Sequence, residues 1–189
     1  MNEPVLEQVA DVVLRSLGAG ESVEIEGLGV FHPDAERIFR FEPRRLPSVF
    51  LAYVAEDRTP VLHLFDALDE AGFLPWMDVR KLLPGQNWPC AIEAAIETSD
   101  FFVPCFSEKS VSKKGGFQAE IRYALDCACQ VPLDQIFIVP VRLDGCKLPR
   151  AIQREYQYVD LFPDWARGLR RLTYMMRQET ERRRPRWGR

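Results

Sequence analysis

Hydrophobic and polar residues follow two different periods along this chain. Residues 4–17 place apolar side chains three and four positions apart, which is the spacing of one helix face. Apolar and polar residues then alternate around glycines from residue 22 to 31, and a second such stretch covers residues 38–41. The pattern predicts a short amphipathic helix followed by a small antiparallel hairpin.

Beyond residue 47, uninterrupted apolar runs take turns with stretches of helical spacing. Such runs are typical of strands that are buried on both faces of a parallel sheet. The predicted strands cover residues 48–54, 73–77, 101–106, 136–143 and 156–161. The predicted helices lie near residues 62–71, 92–96, 117–125 and 164–183. This order predicts an α/β domain, with a parallel sheet and helices on both of its faces.

The change of period also predicts the domain organisation. Residues 1–46 form the small helix-and-hairpin module, residues 47–183 the α/β domain, and residues 184–189 a basic tail. A length of 189 residues suits one full domain with a small appendage.

Composition narrows the class of protein. With 47% hydrophobic and 28% charged residues, the chain can bury a substantial core. The net charge is −3, and no apolar run approaches the roughly 18 residues of a membrane span. The five cysteines are odd in number and scattered, which favours free thiols in a reducing compartment. We expect a cytoplasmic protein with no membrane partner, and the cysteine and histidine spacings predict no metal site.

The most informative stretch is residues 99–125. An apolar run is followed by a polar loop that contains two glycines, and helical spacing then resumes. In parallel α/β sheets, ligands bind outside the carboxyl ends of the strands, so residues 107–116 and the next helical turn would line a site. Glu120 lies in that turn. It is either a surface residue that complements the helix dipole or a functional carboxylate.

Several stretches of the α/β domain resemble the TIR domain, the Toll and interleukin-receptor module, of the bacterial type. They are Phe50-Leu51-Ala52-Tyr53 followed by Asp57, residues 72–85, residues 99–103 with Ser107 and Ser110, residues 116–125, and residues 136–149. Each stretch alone is weakly specific, but all of them stand in the family's order. The resemblance covers about residues 48–172 and implies a flavodoxin-like fold with five parallel strands.

The resemblance implies two activities: assembly through like domains, and cleavage of NAD by a glutamate of the active-site helix, which Glu120 matches. Breaking the bond between ribose and nicotinamide develops positive charge on the sugar, and a nearby carboxylate can stabilise that charge. The resemblance thus implies NAD as the substrate. Because nicotinamide leaves as a neutral group that needs no proton, one carboxylate is sufficient and no cofactor is expected. The products would be nicotinamide and linear or cyclised ADP-ribose, in bacterial defence or signalling.

The same stretches imply a set of substrate-binding residues. Phe50 and Phe117 would stack on flat rings of the ligand, while Arg80 and Lys81 would contact its phosphates. Each has an ordinary alternative, since the two aromatic rings could fill the core and the two cations could be solvated loop charges. The full implied set is Phe50, Ala52, Tyr53, Asp78, Arg80, Lys81 and Phe117.

Two departures from the family pattern bear on activity. Gly116 stands where several NAD-cleaving members carry Trp, and Ala52 replaces the usual Ser. The rival hypothesis is a module that docks like domains without chemistry, through the exposed loop 78–87. Self-association is expected under either hypothesis.

Residues 20–31 resemble the helix-to-sheet segment of bacterial HU-type DNA-binding proteins, within a resemblance of about forty residues. The long basic arm that HU proteins wrap around DNA is missing and is replaced by residues 33–37. Glu21, Glu24 and Glu26 place negative charge where a phosphate-binding surface is positive. A packing or oligomerisation role is therefore favoured, and nucleic acid is not an expected partner.

We predict that the full chain binds duplex DNA no more tightly than micromolar at physiological salt, with an affinity that falls as salt rises. Deleting residues 1–45 should change solubility or oligomeric state more than DNA affinity, because the helix needs an apolar partner larger than the hairpin. Gel-shift titration of both proteins measures this. Nanomolar binding that disappears on deletion would contradict the prediction.

Overall fold

The structure is a computed structural model that describes residues 3–25, 28–34, 39–43, 45–77, 87–132 and 134–183. Contacts between Cα atoms divide the chain into two compact units, Met1–Leu46 and Pro47–Arg189. We describe each unit by itself.

The first unit pairs one helix with a three-stranded antiparallel sheet. Helix α1 spans Glu3–Gly18, and the strands β1, β2 and β3 span Val23–Ile25, Gly29–His32 and Arg40–Pro43, in that spatial order. The helix contacts β1 and β2. Val13 and Leu17, one turn apart, are its buried side chains among those described. The predicted helix and antiparallel strands are confirmed.

The first unit also leaves apolar side chains in contact with water. Val9 and Val12 of α1 are 45% and 55% exposed. Sequence spacing predicts a docking contact through Val9, Val13 and Phe31. In the structure Val13 is buried, and the Phe31 ring packs on Phe41 with a centroid distance of 4.7 Å. A docking contact therefore stays a prediction that rests on Val9 more than on the other two residues.

The second unit contains a five-stranded sheet in which all paired strands are parallel. The strands are β4 (Ser48–Ala52), β5 (Leu74–Trp76), β6 (Phe101–Phe106), β7 (Val141–Arg142) and β8 (Val159–Asp160). Their spatial order is β5-β4-β6-β7-β8. The predicted flavodoxin-like sheet is confirmed.

Helices cover both faces of this sheet. They are α2 (Arg58–Glu70), α3 (Trp88–Glu97), α4 (Glu108–Val111), α5 (Gly116–Ala128), α6 (Arg150–Glu155) and α7 (Trp165–Arg183). Val49 and Leu51 of β4 belong to one core cluster with α2 and α7, whereas Phe50 and Ala52 belong to a second cluster with α3, α5 and α6. Because side chains alternate along a strand, the two clusters lie on opposite faces of the sheet.

Three local features differ from the pattern along the sequence. Strand β7 is shorter than the predicted stretch 136–143: an isolated bridge at Ile138 precedes it, and Pro140, which has no N–H to donate, lies between them. Helix α6 occupies residues 150–155, for which the sequence pattern predicted no element. The loop after β6 contains the short helix α4. No helix among the described residues is long and apolar enough to cross a bilayer.

Helix α7 is held against the sheet by close packing and by a buried carboxylate. A Cβ atom at Gly168 would lie 2.2 Å from the carbonyl oxygen of Asp160, so only glycine fits this approach of α7 to β8. Near the other end of α7, Glu179 is 3% exposed and accepts a hydrogen bond of 3.0 Å from the backbone N–H of Ile136. Arg182 and Arg183 each donate to the same carboxylate at 2.8 Å.

These partners decide the pKa of the carboxyl group. Burial raises the pKa of Glu179, but the hydrogen bonds from the two arginines and the backbone N–H outweigh it, and the pKa falls from 4.5 to about 2. A folded-state pKa below the unfolded value means that this site stabilises the fold above pH 4.5. The stabilisation is lost as pH falls from 4.5 toward about 2.

We predict that Glu179→Gln lowers the free energy of unfolding at pH 7 by about 2 kcal/mol, because two arginines lose a charged acceptor. The difference from wild type should shrink as pH falls from 4.5 toward 2. Urea denaturation followed by tryptophan fluorescence measures it. Glu181→Gln, an exposed carboxylate in the same helix, is the control and should have little effect. An equal loss for both variants would contradict the assignment.

Candidate functional site

Glu120 lies near the beginning of α5, at the edge of the sheet where the parallel strands end. Helix α5 starts at Gly116, and Gly115 before it has a φ of +128°, a conformation that favours glycine. Phe117, Ile121 and Ala124 form the buried face of the helix. Glu120 follows Phe117 by three positions and is half-buried, so it borders that face.

Helix geometry favours a tilt of this side chain toward the strand ends. Helical side chains tilt toward the helix N-terminus, and the N-terminus of α5 follows the carboxyl end of β6 after the segment that contains α4. The Phe117 ring meets the Phe106 ring, at the last residue of β6, edge to face with a centroid distance of 5.5 Å. Glu120 therefore lies in the first part of a helix that begins at the edge where ligands of parallel α/β folds bind, and its role there stays a prediction.

A buried carboxylate joins the segment after β4 to the segment after β6. Asp57 closes a 3-10 turn, Ala55–Asp57, and is 4% exposed. The Ser107 hydroxyl donates a hydrogen bond to the Asp57 carboxylate. Lys109 Nζ lies 3.9 Å from the other carboxylate oxygen, and Lys113 Nζ pairs with Glu56 at 2.6 Å.

The segment after β7 joins the same edge. The Asp144 carboxylate accepts hydrogen bonds from the backbone N–H of Glu108 at 3.1 Å and from that of Cys146 at 3.0 Å. Arg142, the last residue of β7, donates to Asp160 at 2.6 Å and to the Cys146 carbonyl at 2.9 Å. Hydrogen bonds therefore tie together the exits of β4, β6 and β7.

Three of the predicted substrate-binding residues lie in one core cluster, and the others do not. Phe50, Ala52 and Phe117 belong to the same core cluster as the buried face of α5. Phe50 is 1% exposed, and its ring stacks on Trp76 and Phe102 at centroid distances of 4.6 and 5.5 Å. Both aromatic positions thus fill the core, and a role in ligand stacking stays a prediction.

Tyr53 is half-buried and packs against the cluster on the opposite face of the sheet, with α2 and α7. The structure therefore does not bring Tyr53 to the same face as Phe117. Asp78, Arg80 and Lys81, and with them most of the loop 78–87, lie outside the described residues. Their predicted contacts with ligand phosphates and with like domains stay predictions.

Sequence reasoning did not assign roles to Asp57, Asp144 or Arg142. For Asp57 and Ser107, one signal was present: a Ser-x-x-Ser sequence directly after a buried strand is a helix-capping pattern, and its first hydroxyl can also donate to a neighbour. Asp144 and Arg142 find their partners only through the parallel order of the strands, which no local spacing reveals.

Burial makes two cysteine thiols near this edge poor nucleophiles. Burial raises the pKa of the Cys146 thiol to about 11, and it raises the pKa of Cys105 as well. Both thiols stay protonated near pH 7 and are poor thiolate nucleophiles. Farther along α5, the hydrogen bond that Tyr123 donates to Glu97, the last residue of α3, raises the pKa of Tyr123 to about 12. Among the described residues, no group of three His, Cys, Asp or Glu side chains is arranged to hold a metal ion.

A cavity of about 420 Å³ lies elsewhere, at the opposite edge of the sheet. Its lining includes residues that precede the pairing of β7 with β8. They are Ile136 and Phe137 ahead of β7, and Tyr156 and Tyr158 ahead of β8. This cavity is separate from Glu120, whose helix begins at the carboxyl edge.

Comparisons with known proteins agree with this architecture. A family model described as TIR domain matches residues 49–173. The uncharacterized protein y4cD of Sinorhizobium fredii is 24% identical over 181 residues, which are 95% of this chain. The chain spans only 28% of the length of that curated relative.

Two solved structures share the fold. The TIR domain of the Toll-related receptor TRR-2 from Hydra magnipapillata has a TM-score of 0.57 and 23% identity, over 68% of this chain and 97% of that one. A metazoan TIR-STING receptor from C. gigas, solved in complex with 2',3'-cGAMP, has a TM-score of 0.53 and 21% identity, over 66% of this chain and 39% of that one.

We predict that Phe50→Ala lowers the free energy of unfolding by about 3–5 kcal/mol, because it removes a fully buried ring that packs against two others. Urea denaturation measures this. Tyr174→Ala removes an aromatic ring that is 67% exposed and serves as the control, with a change near zero. If Phe50→Ala were as stable as wild type, the ring would not be part of the core.

Proposed function

The chain belongs to the TIR domain family, and we propose that its TIR domain cleaves the glycosidic bond between nicotinamide and ribose in NAD, with Glu120 as the catalytic carboxylate. The observation that supports this proposal is the position of Glu120: half-buried and one turn into α5, the helix that begins beyond the carboxyl end of β6.

The chemistry requires little beyond a placed carboxylate. When the bond from the ribose C1′ to the nicotinamide nitrogen breaks, its electron pair goes to the nitrogen, and the positive charge of the pyridinium ring moves onto the sugar. Nicotinamide leaves neutral, and water or a nucleophilic nitrogen of the adenine adds to C1′ through its lone pair, after which the adduct loses one proton to the solvent. A negative charge held near the ribose stabilises the positive sugar in the transition state.

The surroundings of Glu120 suit this role. Phe117, Ile121 and Ala124 anchor α5 in the core, so the helix cannot turn its carboxylate away without exposing apolar surface. A half-buried carboxylate acts in a medium of lower dielectric than water, where its effect on a developing positive charge is larger. The protonated thiols of Cys105 and Cys146 leave nucleophilic cysteine chemistry without support at this edge.

Glu120→Gln should lower the rate of nicotinamide release by about 100-fold or more, because it removes the charge and keeps the shape. Chromatographic detection of nicotinamide from NAD measures the rate. Asp126→Asn is the matched control, since Asp126 is an exposed carboxylate on the same helix, more than one turn further on. It should keep wild-type turnover.

Thermal denaturation of each variant separates lost chemistry from lost folding. A folded Glu120→Gln variant with wild-type turnover would contradict the catalytic assignment. A wild-type protein that assembles but releases no nicotinamide would instead favour an interaction module without catalysis.

A further inference from the structure

Asp57 is a buried carboxylate, and carboxylates are uncommon in protein interiors. It is 4% exposed, at the end of the turn that follows β4. Burying a charged group is costly unless hydrogen bonds compensate for the lost water. The Ser107 hydroxyl supplies one such bond, and Lys109 Nζ lies 3.9 Å from the carboxylate. The contact joins two segments that are fifty residues apart in the sequence.

Ser107, the partner of Asp57, also forms hydrogen bonds with Ser110. While Ser107 Oγ donates to Asp57, it accepts a hydrogen bond of 3.1 Å from the backbone N–H of Ser110. Ser110 Oγ in turn accepts from the backbone N–H of Ser107 at 2.8 Å. Both serines are buried, at 2% and 0% exposure. This reciprocal capping fixes α4 as a unit, and Asp57 fixes where that unit stands.

Two further contacts act on the same segment from its two sides. Lys113 pairs with Glu56, the residue before Asp57, at 2.6 Å. On the other side, the Asp144 carboxylate accepts from the backbone N–H of Glu108 at 3.1 Å. Both of these contacts are exposed to solvent and therefore weaker than a buried one. Asp57 provides the buried contact of the set.

The segment held in this way leads directly to the candidate catalytic helix. Residues 112–115 connect α4 to Gly116, and Glu120 follows one turn later. Core packing of Phe117, Ile121 and Ala124 fixes which face of α5 is buried. It does not fix how tightly the first turn is held at the strand ends, because a helix end opens more readily than its middle.

We propose that Asp57 is a positioning residue for Glu120: its carboxylate holds Ser107, and through α4 and residues 112–115 it sets the place of the first turn of α5. The effect on turnover rests on the proposed NAD cleavage, whereas the effect on the segment does not. Asp57 touches neither the substrate nor the reacting bond in this scheme. A displacement of about 1 Å in a catalytic group is enough to lower a rate strongly.

The test compares Asp57→Ala, Asp57→Asn and Ser107→Ala with Glu179→Gln in the full chain. The Glu179 variant removes a buried carboxylate network of similar size from the opposite edge of the sheet, so it controls for lost stability. Asp57→Asn keeps an oxygen that can accept from Ser107 and serves as the conservative rescue. Two readouts are taken well below the unfolding temperature of every variant: kcat and KM for nicotinamide release from NAD, and amide hydrogen exchange.

We expect Asp57→Ala and Ser107→Ala to lower kcat by about 10- to 100-fold with KM changed less than about threefold. Asp57→Asn should recover most of the loss. The double variant Asp57→Ala/Ser107→Ala should lose no more than the worse single variant, because the two residues act through one contact. Hydrogen exchange should quicken over residues 107–125 in the two alanine variants and stay unchanged there in Glu179→Gln.

Unchanged exchange over residues 107–125 in Asp57→Ala would overturn the proposal. An equal loss of kcat in Glu179→Gln would also overturn it, since the effect would then be general destabilisation. If the wild-type protein releases no nicotinamide, the proposed NAD cleavage fails. Faster exchange confined to residues 107–125 would then still support the positioning contact, and unchanged exchange would still reject it.

Discussion

All six side chains of β6 are buried, and the architecture of the larger unit follows from this constraint. Phe101, Val103 and Cys105 enter one core cluster, while Phe102 and Phe106 enter the other. A strand with apolar side chains on both sides needs cover on both faces, and helical crossovers between parallel strands provide it. The same crossovers bring every strand exit to one edge, so a polar site can form there without interrupting the core.

Polar groups at that edge are buried only where each finds a partner. Asp57, Ser107 and Ser110 are shielded from water, and their hydrogen bonds with one another offset the cost of leaving it. Ser107 and Ser110 belong to the N-cap and helix of α4, which precedes α5 in the chain. The buried face of α5 packs in the core, and residues 112–115 join this helix to the hydrogen-bonded segment.

The second polar network, around Glu179, has a different consequence. Its arginines come from the same helix, and its backbone partner Ile136 precedes β7, so it fixes α7 at the amino edge of the sheet. That edge carries no strand exits. The two buried carboxylates therefore differ in what they hold. Glu179 attaches α7 to the sheet, and Asp57 binds the segment that leads to Glu120.

The sequence by itself determined the order of elements, because apolar runs and helical spacing are local signals of burial. It also placed Glu120 after a strand exit. Tertiary structure alone decided the features that depend on distant partners. The short helix α6 has one buried residue, Ile152, and a single apolar position gives no helical period in the sequence. The apolar run 136–143 predicted a longer strand than β7, which begins directly after Pro140. Phe50 is fully buried because Trp76 and Phe102, which lie on neighbouring strands, stack on its ring. Asp57 lies beside Ser107 because β4 and β6 are neighbours in the sheet. Hydrogen bonds between strand exits depend on this order of strands, which no local spacing in the sequence reveals.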